Sequence, residues 1–182
     1  MAVPLPPAVL ERVQSEQAKL STLGIDGLRL MRPEQLHVTL AFIGEVDASR
    51  REAARLVVEG LAGEVGGLTF LGGVRPLPSP RRARVIALEI DDPEHVFTRL
   101  HDAVMVGLEA NGLTRRETRP FRPHLTIARL NPPTSVQPRS ECVRAAYPVE
   151  SVQLYRSELG HDGARYTVLA SKATRTTGTM RA

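Results

Sequence analysis

The chain has few of the residues that stabilise small secreted proteins or form membrane spans. Of its 182 residues one is cysteine and none is tryptophan, and the aromatic fraction is 4%. The single cysteine, Cys142, excludes an internal disulfide and a multi-cysteine metal site, and we expect it to be an unreactive, partly buried thiol. The apolar runs are too short to span a bilayer, and the first residues lack a signal-peptide pattern. We therefore expect a soluble, cytoplasmic protein with no membrane association.

Lysine is also scarce, because 22 of the 24 basic residues are arginine and the net charge is +4. Arginine favours two-pronged contacts with phosphate, so we expect an anionic partner. A bias toward arginine codons is an alternative explanation of the total, but it explains the clustering less well. Five arginines lie close together in the sequence: Arg115, Arg116, Arg119, Arg122 and Arg129.

The length suits one domain spanning residues 1–182, and 42% apolar residues suffice for a core. Apolar spacing predicts a helix from Pro7 to Leu20 and a second that starts near Asp47 or Ser49. For the third helix, Asp92 is the predicted N-cap and Asn111-Gly112 the end. A shorter fourth helix is predicted at Arg139–Ala146. The predicted inward face of the second helix is Ala53, Leu56, Val57, Gly60 and Leu61, and that of the third is Val96, Phe97, Leu100, Ala103, Val104 and Leu108.

Six apolar, β-branched segments read as strands, and Gly160-His161-Asp162-Gly163 should connect the last two as an antiparallel hairpin. Segments 72–82 and 131–138 read as loops, and residues 174–182 as a frayed tail. This order of strands and helices predicts an α+β fold with a largely antiparallel sheet. The predicted strands are Leu36–Ile43, Leu68–Leu71, Arg84–Ile90, His124–Leu130, Val149–Ser157 and Ala164–Ser171.

The four-residue pattern His-x-Thr-x (HxTx, with x an apolar residue) occurs twice in predicted strands, as His37-Val38-Thr39-Leu40 and His124-Leu125-Thr126-Ile127. Successive side chains of a strand point to opposite faces, so each histidine shares a face with the threonine two residues later. In the first strand we expect Leu36, Val38, Leu40 and Phe42 to face the core. Each pattern follows an Arg-Pro step, at residues 32–33 and 122–123, which hints at an internal duplication with the histidine edges meeting in a groove.

This constellation suits displacement at phosphorus. Histidine titrates near neutrality, so one imidazole can accept a proton from water while the other protonates the departing oxygen. Pro123 favours an extended Arg122, which places that guanidinium beside His124 and Thr126. Arg122, Thr39 and Thr126 can then bind the phosphate oxygens, and no metal is required. The simpler reading makes the threonines ordinary strand residues and Arg122 a surface residue.

Three segments are informative beyond the two motifs: residues 32–44, residues 121–129 and Leu154-Tyr155-Arg156-Ser157-Glu158-Leu159. They resemble the 2H phosphoesterase superfamily, and within it the bacterial RNA 2′,3′-cyclic phosphodiesterases, also called 2′-5′ RNA ligases. The resemblance implies a bilobal fold of two pseudo-symmetric lobes, with mainly antiparallel sheets flanked by helices and both HxTx strands in a central cleft. It also implies hydrolysis of a terminal 2′,3′-cyclic phosphate of RNA to a 2′-phosphate. His37 would be the acid and His124 the base, with Thr39 and Thr126 on the phosphate.

The same resemblance implies that tRNA halves can be joined through a 2′-5′ linkage, in the hydrolytic geometry with a 5′-hydroxyl as the other participant. Such proteins usually open with a fuller strand than this chain, which reaches Pro4-Leu5-Pro6-Pro7 almost at once. Phe121 and Tyr155 are candidates for stacking on a nucleobase. We expect a monomer that needs no cofactor.

Two alternatives belong to other functional classes. A metal-dependent phosphodiesterase would need further ligands beside the histidines, because catalytic zinc usually has three protein donors and threonine is a poor one. A non-catalytic RNA-end binder would retain the pocket and leave a cyclic end intact. The other histidines, His95, His101 and His161, are assigned to the surface or to helix structure.

Overall fold

The computed structural model describes residues 1–62, 67–114, 120–137, 142–160 and 163–174. Across these ranges three helices and nine strands form an α+β fold, as the sequence predicts. The helices are α1 (Pro7–Ser21), α2 (Ala48–Glu59) and α3 (Val96–Ala110). The strands are β1 (Ala2–Pro4), β2 (Leu28–Leu30), β3 (His37–Thr39), β4 (Phe70–Leu77), β5 (Ala83–Asp91), β6 (His124–Thr134), β7 (Cys142–Ala146), β8 (Ser151–Gly160) and β9 (Gly163–Ala173).

All strand pairings are antiparallel, in the order β7-β4-β5-β6-β3-β1-β8-β9, with β2 also on β6. The order divides into two four-stranded halves that meet where β6 pairs with β3. Each half therefore contributes its HxTx strand at the junction. The link is narrow, because Val38 with Leu125 is the bridged pair between these two strands.

The core lies on one side of this sheet, where Val38, Leu88, Leu125 and Ile127 are fully buried. The helix α1 packs on β6 and β7, and α2 packs on β8, β9 and α3. No helix among the described residues is long and apolar enough to cross a bilayer.

The helix boundaries agree closely with the sequence, while two predicted faces need correction. Asp47 caps α2 by accepting from the Arg50 amide at 2.8 Å. Leu56 is 55% exposed and Ala54 is buried instead, because the packed face of α2 is rotated from the predicted one. On α3, Ala103 is exposed and Met105 is buried.

The predicted N-cap position of α3 is wrong, because the helix begins at Val96 and its N-cap is His95, although Asp92 still binds the first turn. Its carboxylate accepts from the Val96 amide at 2.6 Å and the Thr98 amide at 3.2 Å. The chain enters the helix through His95, whose φ of 55° is not helical, so the first turn starts at Val96. The predicted end is confirmed, because Asn111 is the C-cap and Gly112 has a φ of 62°.

The predicted fourth helix is wrong. Residues 142–146 form β7, whose Ala145 and Ala146 pair with Leu71 and Phe70 of β4. Without β7 this edge of β4 would be open, and the pairing satisfies its backbone hydrogen-bonding groups. These hydrogen bonds outweigh a weak local preference for helix. Residues 139–141 of that prediction lie outside the described ranges.

The two predicted loops are largely strand. β4 continues to Leu77 and β6 to Thr134 despite their glycines and prolines. A shift of register between Leu71 and Val74 accommodates Gly72, whose missing Cβ would lie 3.1 Å from the Glu89 carbonyl oxygen. The three-residue strands β1 and β2 were not predicted, because they are too short to show a pattern.

The predicted hairpin is confirmed by the pairing of Gly160 with Gly163. Its central residues, His161 and Asp162, lie outside the described ranges, as do Arg115, Arg116 and Arg119 and residues 175–182 of the predicted tail.

Candidate active site

The two HxTx strands are direct neighbours in the sheet. Because Val38 pairs with Leu125 in an antiparallel ladder, His37 lies opposite Thr126 and Thr39 lies opposite His124. The two histidines are then diagonal neighbours, which lie roughly 7–8 Å apart with their Cβ atoms somewhat closer. The sheet thus places two imidazoles and two hydroxyls in one compact square.

This square lies on the open side of the sheet. Val38 and Leu125 between the motif residues are fully buried on the core side. His37, His124 and Thr126 are half-buried, and Thr39 is exposed. All four side chains are therefore partly accessible, as acid/base and phosphate-binding groups must be.

Both imidazoles contact backbone two residues upstream. Nδ1 of His124 lies 2.9 Å from the carbonyl oxygen of Arg122. A carbonyl oxygen only accepts, so Nδ1 carries the proton and Nε2 is directed elsewhere. His37 makes a backbone hydrogen bond with Gln35, the equivalent position.

Gln35 is itself held firmly. Its side chain is buried, Nε2 donates to the Ala164 carbonyl oxygen at 2.7 Å, and Oε1 accepts from the Arg32 amide at 3.0 Å. The turn Pro33–Gln35 before His37 is thereby fixed to β9.

Two tyrosines from the β8–β9 hairpin surround His37. The ring of Tyr155 stacks on His37 with centroids 5.6 Å apart, and the ring of Tyr166 meets it edge-on at 4.9 Å. The Tyr155 hydroxyl donates to Oε1 of Gln153 at 2.5 Å, and burial raises its pKa to about 12. Tyr155 was predicted as a site residue. Tyr166 was missed, because only the hairpin register brings it to His37.

The pKa of His37 is lowered to about 4, chiefly by burial and also by the positive charges of the chain's N-terminal amine and of Arg129. The backbone hydrogen bond with Gln35 acts in the opposite direction. His37 is therefore neutral at pH 7 in the free protein.

A β-bulge brings Arg129 to the open side. Thr126 pairs with Ala87 and Ala128 pairs with Ile86, so Ile127 is an extra residue in β6. Simple alternation from His124 would place position 129 on the core side, whereas the bulge reverses it, and Arg129 is exposed. Arg29 of β2 pairs directly with Arg129 and is also exposed.

Other predicted site residues lie elsewhere or contribute differently. The Arg122 side chain is exposed, and its carbonyl oxygen provides the contact with His124. Phe121 stacks face to face on His101, with centroids 4.1 Å apart. His101 Nδ1 lies 2.8 Å from the Leu40 carbonyl oxygen, in agreement with its structural assignment.

Phe42 was predicted in the core and is instead 80% exposed. The strand β3 ends at Thr39, and both Leu40 and Ala41 donate backbone hydrogen bonds to the Met1 carbonyl oxygen. Alternation therefore stops before residue 42, and Ala41 is buried in its place.

A cavity of about 820 Å³ adjoins His37 without including either catalytic candidate histidine in its lining. Gln35, Tyr155 and Tyr166 connect it to His37. Phe42 and the pair Arg29 and Arg129 also line it. Within the described ranges no three His, Cys, Asp or Glu residues are grouped as metal ligands would be.

Comparisons with known proteins give the family to which this chain is similar. The family model of the 2′-5′ RNA ligase superfamily matches residues 5–161. A Thermus thermophilus protein named RNA 2′,3′-cyclic phosphodiesterase is 31% identical, over 92% of this chain and 85% of that protein. One of the same name from Methanothermobacter thermautotrophicus is 29% identical, over 92% and 93%.

Solved structures show the same fold. The structure of TT0787 from Thermus thermophilus has a TM-score of 0.82 at 30% identity, covering 97% of both chains. That of E. coli LigT complexed with 3′-AMP has a TM-score of 0.73 at 26% identity, covering 95% of both.

Proposed function

Because this chain belongs to the 2′-5′ RNA ligase superfamily, we propose that it hydrolyses the terminal 2′,3′-cyclic phosphate of RNA to a 2′-phosphate. The observation that carries the proposal is the pairing of Val38 with Leu125, which makes His37 and His124 diagonal neighbours. Two imidazoles at this separation fit on either side of one phosphorus atom.

The reaction is an in-line displacement. Nε2 of His124 takes a proton from a water molecule as its oxygen attacks phosphorus, while the bond from phosphorus to O3′ breaks. His37 gives its proton to O3′, which leaves as a hydroxyl, and the phosphate remains on O2′. Thr39 and Thr126 hydroxyls donate to the non-bridging oxygens, where negative charge increases in the transition state.

The charge state of His37 makes proton donation depend on the substrate. With a pKa of about 4 the free imidazole is neutral at pH 7. A bound phosphodiester carries a negative charge, which opposes the charge of Arg129 and raises the pKa of a neighbouring imidazole. Substrate binding therefore increases the fraction of His37 that carries the proton needed by the acid.

The surrounding residues have supporting roles. The exposed Arg122 guanidinium binds a phosphate oxygen. Tyr155, which touches His37 and lines the cavity, stacks on the terminal nucleoside, whereas Phe121 does not line the cavity and stacks on His101. The product is an RNA end, and the same geometry with a 5′-hydroxyl in place of water joins two ends through a 2′-5′ linkage.

The chemistry uses imidazoles and hydroxyls, so we propose that it needs no metal. The test is to incubate the purified protein with RNA ending in a 2′,3′-cyclic phosphate, in excess chelator, and to identify the product end. A 2′-phosphate is expected. Loss of activity in chelator, restored by a divalent metal, would favour a metal-dependent phosphodiesterase. Tight binding that leaves the cyclic end intact would favour a non-catalytic RNA-end binder.

A further inference from the structure

The cavity beside His37 has a strongly positive wall. Among the described residues four arginines line it, Arg29, Arg51, Arg129 and Arg156, against one acidic residue, Glu45. Arg156 is already paired with Glu158 at 3.1 Å. The charge balance of the cavity therefore favours an anion.

Arg29 and Arg129 are two of these arginines and belong to adjacent strands. They are directly opposite each other in the β2–β6 pairing, where like charges destabilise a sheet unless an anion lies between them. Across the described part of the chain, neither guanidinium has an ion pair or hydrogen bond with another residue. No described residue compensates their repulsion.

The surroundings hold Arg29 close to the β8–β9 hairpin. A Cβ on Gly163 would lie 2.4 Å from Nη2 of Arg29, so the guanidinium packs directly against the Gly163 backbone. Gly163 itself lines the cavity and has a φ of 103°. The exposed Arg29 side chain is thus placed along the cavity wall, beside the β8–β9 hairpin.

The pair is displaced from the histidines along one strand. Arg129 is two cross-strand pairs beyond Thr126, because the bulged Ile127 adds no pair of its own. At about 3.4 Å per pair this is roughly 7 Å along β6. A second phosphate of the same strand lies at a comparable distance from the first.

We propose that Arg29 and Arg129 bind the internucleotide phosphate on the 5′ side of the terminal nucleotide, so that the site selects an RNA end over a mononucleotide. This inference rests on the proposed function, since it takes the cyclic phosphate to lie between His37 and His124. The cavity between the two positions then receives the terminal nucleoside.

The test compares two dinucleotides that end in a 2′,3′-cyclic phosphate. One has a normal charged linkage and the other a neutral methylphosphonate, and both have a 2′-O-methyl group on the upstream ribose for stability. For the wild-type protein we expect kcat/KM to be roughly 10-fold higher with the charged linkage, as for hydrogen bonds to a charged group. In R29Q this ratio should approach one, while in the control R81Q, an exposed arginine outside the cavity, it should stay at the wild-type value.

A binding measurement keeps the test independent of turnover. The affinity for a fluorescein-labelled tetranucleotide with a 2′-phosphate end falls with salt, and R29Q should reduce the slope of log K against log salt by about 0.7, the contribution of one single-strand phosphate. A charged-linkage preference that survives in R29Q, or an unchanged salt slope, overturns the second phosphate site. If the wild type cleaves neither dinucleotide, the proposed function fails, and the salt slope alone decides the phosphate site.

Discussion

Gln17 of α1 donates a hydrogen bond from Nε2 to the carbonyl oxygen of Ile127, the extra residue of the β6 bulge, at 2.9 Å. The same Nε2 donates to the Met31 carbonyl oxygen at 2.7 Å, and the Met31 amide also donates to Ile127. One buried amide thus holds the point where β6 reverses its faces. Arg129 reaches the open side because this bulge is maintained.

Replacing Gln17 by Leu removes both donated hydrogen bonds. The carbonyl oxygens of Met31 and Ile127 then each have one partner fewer. The free energy of unfolding should fall by about 1–3 kcal/mol in urea titration. The control is Gln14→Leu, an exposed position of the same helix, where little change is expected. Equal stability of the two variants would show that the bulge does not depend on Gln17.

Replacing either His37 or His124 by Ala should lower kcat on a nucleoside 2′,3′-cyclic phosphate by about 10²- to 10⁴-fold, the usual effect of losing an acid or a base. The matched control is His95→Asn, because His95 is exposed and Asn tolerates its positive φ. Near-normal turnover in His37→Ala or in His124→Ala would refute the two-histidine mechanism.

The pKa of His37 should be about 4 when its imidazole is titrated by NMR in the free protein. Arg129→Gln should raise this pKa, because it removes a positive charge, and inorganic phosphate bound beside the ring should raise it too. Since the unfolded imidazole titrates near about 6.5, unfolded chains bind more protons between about pH 4 and 6.5. The contribution of His37 to stability is therefore lost as pH falls through that window, and a His37 pKa near 6.5 would contradict both expectations.

Gln35 is expected to act through His37. Gln35→Met keeps the size of the side chain but loses the hydrogen bonds with Ala164 and Arg32, so the turn before His37 is no longer fixed. Because small displacements of a catalytic group are costly, kcat should fall of the order of 10-fold, with KM changing less. A change confined to KM, with the NMR signal of His37 unmoved, would mean that Gln35 does not position the imidazole.

Phe42 and Phe97 should respond oppositely to truncation. Phe42 is 80% exposed and Phe97 is fully buried, where it meets the Tyr147 ring at 5.7 Å. Phe42→Ala should change the free energy of unfolding by less than about 0.5 kcal/mol, whereas Phe97→Ala should lower it by about 3–5 kcal/mol. A large loss for Phe42→Ala in thermal or urea unfolding would restore the original core assignment.

Local chemistry made much of the fold predictable. Asp47 caps the start of α2 and Asn111-Gly112 caps the end of α3, each through contacts with nearby residues. The sequence pattern that identifies each cap therefore lies within a few positions. Alternation identified Val38 as core and placed each histidine on one face with its threonine for the same reason. The predictions failed where distant partners decided, as at β7, which forms on the edge of β4.

The sequence by itself determined that two strands each present an imidazole and a hydroxyl on one face, because side-chain alternation is a property of every strand. Only the tertiary structure decided that these strands, 87 positions apart, are neighbours in the register that pairs Val38 with Leu125. Backbone hydrogen bonds are the same in every register, so register follows from long-range packing and not from local pattern. The bulge at Ile127, and with it the position of Arg129 beside Arg29, has the same origin.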